Sequence, residues 1–137
     1  MQTLIVLAAM IAAVAATRYV NIHGQLSCDN KYDYVDTIIE LWEKDPFDPD
    51  DKIAGPYKPA KDGSFNITGH EDELFGKVEF YLKITHHCLL LKREDCKEIV
   101  DVFDLEDSGD PNLITHFKKS LVSSKQLHEA PKNCIVP

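Results

Sequence analysis

Residues 19–28 read YVNIHGQLSC, and apolar and polar side chains alternate along this stretch. The apolar positions Val20, Ile22 and Leu26 are spaced two residues or a multiple of two apart. Because successive side chains of an extended chain point to opposite faces, this spacing predicts a half-buried β-strand. The same alternation predicts further strands later in the chain.

The same alternation returns in residues 35–42, through Val35, Thr37, Ile39 and Leu41. A polar turn, Asp29-Asn30-Lys31, separates the two strands. Further short apolar runs are divided mostly by Pro, Gly and Asp, and they cover residues 52–54, 64–68, 78–87, 98–105 and 114–122. Short strands at such spacing are typical of a sandwich, so we predict an all-β fold of about seven strands with little helix.

An apolar leader occupies residues 4–16 and ends in the small residues Val14-Ala15-Ala16. It is too short to cross a bilayer as a helix, and small side chains at its end suit cleavage by signal peptidase. We therefore expect residues 1–16 to be a signal peptide and residues 17–137 to form one mature domain. The predicted location is secreted and extracellular.

The chain has four cysteines, Cys28, Cys88, Cys96 and Cys134. An even number of cysteines in a secreted domain predicts two disulfides, and four cysteines allow three pairings that sequence alone does not separate. The nearness of Cys88 and Cys96 favours a bond between them, which leaves Cys28 to pair with Cys134. No C-x-x-C motif occurs, which argues against zinc. The sequence shows no other metal-ligand pattern, so we predict no metal site and no cofactor.

Asn66-Ile67-Thr68 has the form of an N-glycosylation acceptor. A glycan on Asn66 requires that side chain to face solvent, which would turn Phe65 and Ile67 toward the interior. We predict glycosylation at Asn66.

The formal net charge is −8 at pH 7. A domain this acidic repels phosphate, so nucleic-acid binding is not expected. The sequence shows no nucleophile beside a base and no phosphate-binding glycine loop, and His23 has no matching partner motif. We therefore predict a binding protein and no enzyme.

The acidic residues Asp45, Asp48, Asp50 and Asp51 offer hard oxygen ligands within one stretch. Their spacing does not follow the EF-hand loop. Pro46 and Pro49 stiffen this stretch, and Asp-Pro steps favour turns, so calcium binding stays the weaker interpretation.

Several motifs in order resemble the nematode transthyretin-like family. They are GQLSC at residues 24–28, IELWE at 39–43, FDPDD at 47–51, DGSF at 62–65 and the pair His87-Cys88. The resemblance covers nearly all of the mature chain. It implies a transthyretin-like, immunoglobulin-like β-sandwich, secreted and crosslinked, to which no catalytic activity is generally assigned.

The segment Leu89-Leu90-Leu91-Lys92-Arg93 departs from that family, where this stretch is usually polar. With Cys88 and Cys96 bonded, the leucines would lie in a small loop with most of them exposed. Exposed leucines beside two basic residues predict shallow insertion into an anionic membrane. The alternative is that the leucines pack under a loop and the two basic side chains are merely solvated.

A second basic patch is predicted from Lys118, Lys119, Lys125 and Lys132. Because bridging of cells during engulfment is reported within the resembling family, we predict an extracellular adaptor. Its partners would be phosphatidylserine on an anionic phospholipid surface and a cell-surface receptor on a phagocyte. The alternative is a secreted carrier of a small apolar ligand, or a signalling protein that binds a receptor.

Overall fold

The computed structural model describes residues 16–28, 36–73, 78–105, 112–121 and 129–136. The strands, in chain order, are β1 (Ala16–Ser27), β2 (Ile38–Glu43), β3 (Asp51–Tyr57), β4 (Ser64–Glu73), β5 (Phe80–His86), β6 (Ile99–Asp104) and β7 (Asn112–Ser120). A single turn of 3₁₀ helix, Lys132–Cys134, follows near the end of the chain. No helix in these ranges is long and apolar enough to cross a membrane. The leader, residues 1–15, lies outside the described residues.

Two sheets form the sandwich. The first has the strand order β4-β1-β7, in which β1 is antiparallel to β4 and parallel to β7. The second has the order β3-β2-β5-β6 and is antiparallel throughout. β1 is therefore the central strand of the smaller sheet, and its outward side chains have neighbours on both sides.

The inward side chains of both sheets fill the interior. Val20, Ile22 and Leu26 of β1 are buried, and they share one apolar cluster with residues of the other sheet, including Leu41, Leu82 and Ile84. The predicted all-β sandwich with seven strands and two disulfides is confirmed. The alternation at the acceptor triplet is confirmed too, since Ile67 is buried, Phe65 packs against the core and Asn66 is exposed.

Two of the sequence motifs meet in space at Gly24. Gly24 pairs with Phe65 across β1 and β4, and the Phe65 ring lies where a side chain on Gly24 would project. A Cβ at position 24 would overlap the ring, so only glycine leaves room for it. The glycine of GQLSC and the phenylalanine of DGSF therefore form one packing unit.

The disulfides join Cys28 to Cys88 and Cys96 to Cys134. The prediction that Cys88 pairs with Cys96 and Cys28 with Cys134 is wrong. Cys28 directly follows β1 and Cys88 lies just beyond β5, so the first bond links the two sheets at one end of the sandwich. The second bond links the tail to the loop that follows β5. A hydrogen bond joins the same two segments, because Leu91 N–H donates to the Cys134 carbonyl at 2.7 Å.

Candidate functional site

The outer face of the β4-β1-β7 sheet has three central rows without Asp, Glu, Lys or Arg. Strand register places one residue from each strand in every row. We call this surface the uncharged face, and it consists of Tyr19, Asn21, His23, Asn66, Thr68, His70, Asn112, Ile114 and His116. In a chain with 28% charged residues, a surface of this extent without acidic, lysine or arginine side chains is a distinctive feature.

Apolar and aromatic groups are exposed on the uncharged face. Ile114 is 66% exposed and Tyr19 is 52% exposed. The Tyr19 ring lies beside His70 at 5.8 Å, and the His23 ring stacks beside His116 at 5.5 Å between ring centres. Between these two ring pairs lies Asn21, whose buried Oδ1 has no hydrogen-bond partner among the described residues. An acceptor in that condition is costly unless water or a ligand satisfies it.

Basic side chains collect at one end of the sandwich. Ser27 at the end of β1 is in register with Ser120 at the end of β7, and Leu26 N–H donates to the Gly63 carbonyl in the β3–β4 turn. The Cys28–Cys88 bond brings the loop after β5 to the same place. We call this region the basic end, and its cations are Lys58, Lys61, Lys92, Arg93, Lys118, Lys119 and Lys132. Lys125, also predicted for the basic patch, lies outside the described residues.

Acidic partners offset part of that charge. Lys92 Nζ is 2.8 Å from Asp36, and the guanidinium of Arg93 pairs with Asp95. The hydrogen bond and charge of Lys92 lower the pKa of the Asp36 carboxyl. Lys118 and Lys132 are both exposed. The two basic segments that are separate in sequence therefore share one end of the fold, and its charge is mixed.

The three leucines do not form an exposed tip. Leu90 is buried with Cys96 and Cys134, Leu91 packs against the same small cluster, and Leu89 packs against the main core. Leu90 also pairs with Ile135 in an isolated β-bridge. The expectation of exposed leucines is wrong, because the tail covers the loop and the disulfide pairing differs. The alternative interpretation is confirmed for the packing of the leucines, but Lys92 and Arg93 are not merely solvated, because they pair with Asp36 and Asp95.

The family model of the transthyretin-like family matches residues 23–103. The chain belongs to the transthyretin-like family. Transthyretin-like protein 16 of Caenorhabditis elegans is 34% identical over 85 residues, which is 62% of each chain, so the match spans under two thirds of that relative's length. Among solved structures, a 9R-lipoxygenase from Cyanothece PCC8801 matches with a TM-score of 0.44 and 14% identity. That match covers 77% of this chain and 16% of the lipoxygenase.

Proteins of the transthyretin-like family are generally non-enzymatic, and a buried histidine–aspartate pair in this member is structural. His86 has no exposed side-chain surface, and its Nε2 lies 2.8 Å from Asp101 Oδ2. Its Nδ1 accepts a hydrogen bond from the Cys88 backbone N–H at 3.0 Å. With Nδ1 as acceptor, Nε2 carries the proton and donates to Asp101, so both ring nitrogens are engaged. The pair anchors the backbone of a disulfide cysteine.

Acidification is expected to destabilise this transthyretin-like protein through His86. Burial lowers the pKa of His86 below its usual 6.5, Asp101 opposes that effect and His87 adds to it. Below pH 6.5 the unfolded chain takes up a proton that the folded chain resists, so the contribution of neutral His86 is complete above pH 6.5. It is lost as the pH falls from 6.5 toward the lower folded pKa, with a slope of at most about 1.4 kcal/mol per pH unit.

Urea unfolding at a series of pH values measures that slope. His86→Gln should flatten it between pH 6.5 and 5, where carboxylates add little, whereas His70→Gln on the uncharged face should leave it unchanged. An unaltered slope in the His86→Gln protein would contradict the assignment.

The opposite end of the sandwich is acidic, and two of the carboxylates proposed for calcium accept hydrogen bonds of their own turn. Asp45 accepts from the backbone N–H of Phe47 and Asp48, and Asp50 accepts from the Asp45 N–H and from the Tyr81 hydroxyl. Burial, with help from Asp50, raises the pKa of Tyr81 to about 12. Within the described ranges, the one group of three metal-ligand side chains close enough to share an ion is Asp95, Cys96 and Cys134, whose two sulfurs are bonded to each other.

The uncharged face was not predicted from the sequence. His23 was considered alone, because its partner His116 lies far along the chain and becomes its neighbour only through the parallel pairing of β1 with β7. Ile114 looked like one more core residue of a strand. The signal that would have found the face is the run of neutral polar residues at the outward positions of three strands.

Proposed function

We propose that this transthyretin-like protein is a secreted, non-enzymatic adaptor that uses two surfaces. The basic end contacts a membrane that displays phosphatidylserine, and the uncharged face binds a cell-surface receptor. The observation that carries the proposal is the charge polarity of the described sandwich: cations outnumber carboxylates at the basic end, although Asp36 and Asp95 lie among them, and carboxylates outnumber cations at the opposite end. The proposed extracellular location agrees with the two disulfides, which are typical of secreted proteins.

Charge polarity answers the main physical objection to lipid binding. A net charge of −8 repels an anionic surface at long range. The carboxylates of the β2–β3 loop, Asp45, Asp48 and Asp50, lie at the far end of the strands from Lys118 and Lys132. With the basic end toward the lipid, those carboxylates are more than a Debye length from the surface and are screened at physiological salt.

The membrane contact in this proposal is electrostatic. The leucines are packed within the fold, so shallow apolar insertion does not contribute. Each lysine near an anionic surface is worth about 1 kcal/mol, so a few lysines give weak and salt-sensitive binding. Such binding suits a protein that is released when it is not also held by a receptor.

The composition of the uncharged face supports protein binding. Cores of protein interfaces are depleted in charged residues and enriched in aromatic side chains. Tyr19 and Ile114, both exposed on either side of Asn21, offer an aromatic and an aliphatic contact to a partner. An N-glycan on Asn66, which we retain as a proposal, would project from the edge strand β4 and leave the β1–β7 side of the face open.

Carriage of a small apolar ligand, the alternative function, has less support. The interior of the described sandwich is filled by side chains such as Ile22, Leu41 and Leu82 with no exposed surface. A cleft does exist at the acidic end, but its lining is mainly charged, with Lys44, Asp45, Pro46, Asp50 and Glu79. An apolar molecule would gain little by entering it.

Co-sedimentation with vesicles tests the lipid arm. We expect retention on vesicles of phosphatidylcholine with phosphatidylserine and none on phosphatidylcholine alone, at physiological salt. Lys118→Gln combined with Lys132→Gln should weaken retention about thirtyfold, since two lysines contribute about 2 kcal/mol. The matched control, Lys44→Gln with Lys52→Gln, removes the same charge away from the basic end and should bind as the wild type does. Equal loss in both double variants would contradict the role of the basic end.

The same vesicles, immobilised as a supported bilayer and loaded with protein, test the receptor arm through adhesion of phagocytic cells. Ile114→Asp should keep bilayer retention and abolish adhesion. Val102→Asp is the matched control, because Val102 is also an exposed aliphatic residue on a strand but lies on the other sheet. Adhesion that survives Ile114→Asp would remove the uncharged face as the docking surface.

A further inference from the structure

Two histidines lie side by side in the row of the uncharged face nearest the basic end. His23 on β1 and His116 on β7 occupy the same row of a parallel pair, and both are exposed. Their ring centres are 5.5 Å apart and their ring planes differ by 26°. Within the part of the chain that the structure describes, neither side chain belongs to a core cluster or to an ion pair.

The spacing of the rings suits a shared metal ion. An ion about 2.1 Å from one nitrogen of a ring lies roughly 3.2 Å from the ring centre. Two such rings with centres 5.5 Å apart would subtend an angle of roughly 115° at the ion, close to the tetrahedral value. A modest rotation of the exposed rings about χ2, which is a soft torsion in histidine, directs one nitrogen of each toward the same point.

The surroundings of the pair select the class of ion. The remaining neighbour in the row is Asn66. The row on one side holds Asn21, Thr68 and Ile114, and the row on the other side holds Gln25, Ser64 and Lys118. No carboxylate lies in these rows, so a hard cation such as Ca²⁺ or Mg²⁺ finds few suitable ligands. Zn²⁺ and Cu²⁺ are well suited to imidazole ligands, and at a given nitrogen site Cu²⁺ binds more tightly than Zn²⁺.

We propose that His23 and His116 form a two-histidine site for a divalent transition-metal ion, Cu²⁺ or Zn²⁺, on the uncharged face. Two protein ligands leave the remaining coordination positions to water or to a group from a bound partner. The proposal depends on neither a lipid nor a receptor, so it stands or falls separately from the adaptor function. It departs from the sequence-based prediction of no metal site, which rested on the absence of a metal-ligand pattern along the chain.

Isothermal titration of the untagged mature protein with ZnCl₂, and titration with CuCl₂ followed by electron paramagnetic resonance, test the site. The protein is made without glycan and with both disulfides intact, so that the neighbouring Asn66 side chain is unmodified. We expect one ion per chain, tighter binding of Cu²⁺ than of Zn²⁺, and hyperfine structure from two nitrogen ligands on bound copper.

His23→Asn and His116→Asn should each lower the affinity by at least about tenfold, because even residues that only orient a metal ligand cost that much when they are changed. His70→Asn is the matched control. His70 lies on the same face, but its neighbouring ring is Tyr19 and not a second histidine. The His70→Asn protein should therefore bind metal as the wild type does. Circular dichroism checks that all three variants fold.

Three results would overturn the proposal. Saturation only at millimolar ion would mark the binding as adventitious. Equal loss of affinity in the His70→Asn protein would indicate general binding to surface histidines. Unchanged copper spectra in the His23→Asn or His116→Asn protein would place the ion elsewhere.

Discussion

Replacing Cys28 and Cys88 together by alanine should lower the free energy of unfolding by about 4 kcal/mol. The two cysteines are 60 positions apart, and a crosslink of that span restricts the unfolded chain by about this amount in the chain-entropy description. Domains of this size are stable by about 5–15 kcal/mol, so the loss is a large part of the total. Urea unfolding monitored by tryptophan fluorescence and circular dichroism measures it.

A second double variant tests the pairing itself. Replacing Cys88 and Cys96 leaves Cys28 and Cys134 without their partners, so titration under denaturing conditions should find both as free thiols. The Cys28→Ala, Cys88→Ala protein should show none, because the Cys96–Cys134 bond is untouched. Free thiols in the latter protein and none in the former would restore the pairing predicted from sequence.

The failure of that prediction has a physical reason. Distance along the chain favoured Cys88 and Cys96, because a short loop closes at little entropic cost. The strand topology instead brings Cys28 and Cys88 together. Cys28 directly follows β1, the central strand of the smaller sheet, and Cys88 follows β5, an inner strand of the larger one. Which strand ends meet across a sandwich is a property of topology, and alternation along one strand carries no information about it.

Alternation did predict the strands themselves. The segment expected at residues 98–105 is β6 (Ile99–Asp104), and the one expected at 78–87 is β5 (Phe80–His86). These strands could be predicted from the sequence because one face of each is buried, which forces a period of two. Trp42 shows the limit of the same logic. Aromatic residues at strand spacing are expected to pack in the core, yet Trp42 lies on the outer side of β2, where it stacks on Tyr81 and lies beneath Lys83.

The candidate surfaces were predicted less well than the strands. The basic residues were identified in sequence, but their common location depends on Ser27 meeting Ser120 and on the Cys28–Cys88 bond. The histidine pair depends on a parallel neighbour from the far end of the chain. Surfaces assembled from several strands require the sheet order, which one sequence read by periodicity does not supply.

Leu90→Asp should cost about 4 kcal/mol of stability, the second large effect. Leu90 is 6% exposed and packs on Cys96 and Cys134, so the substitution removes buried apolar contacts and places a carboxylate in an apolar cluster. Large-to-small changes at such sites cost about 2–5 kcal/mol, and an unpaired buried charge adds to that or forces the cluster open. Urea unfolding of the purified variant measures the change.

Val102→Asp provides the comparison for that measurement. Val102 is 56% exposed, so an aspartate there remains in water and should change stability by no more than about 0.5 kcal/mol. If Leu90→Asp behaved like Val102→Asp, the loop after β5 would be an exposed apolar tip and membrane insertion by leucines would again be a reasonable mechanism. A large difference between the two proteins means that the tail, held by Cys134, keeps the loop closed. Any membrane contact then depends on the surrounding lysines, because the leucines contribute to the fold and to no partner.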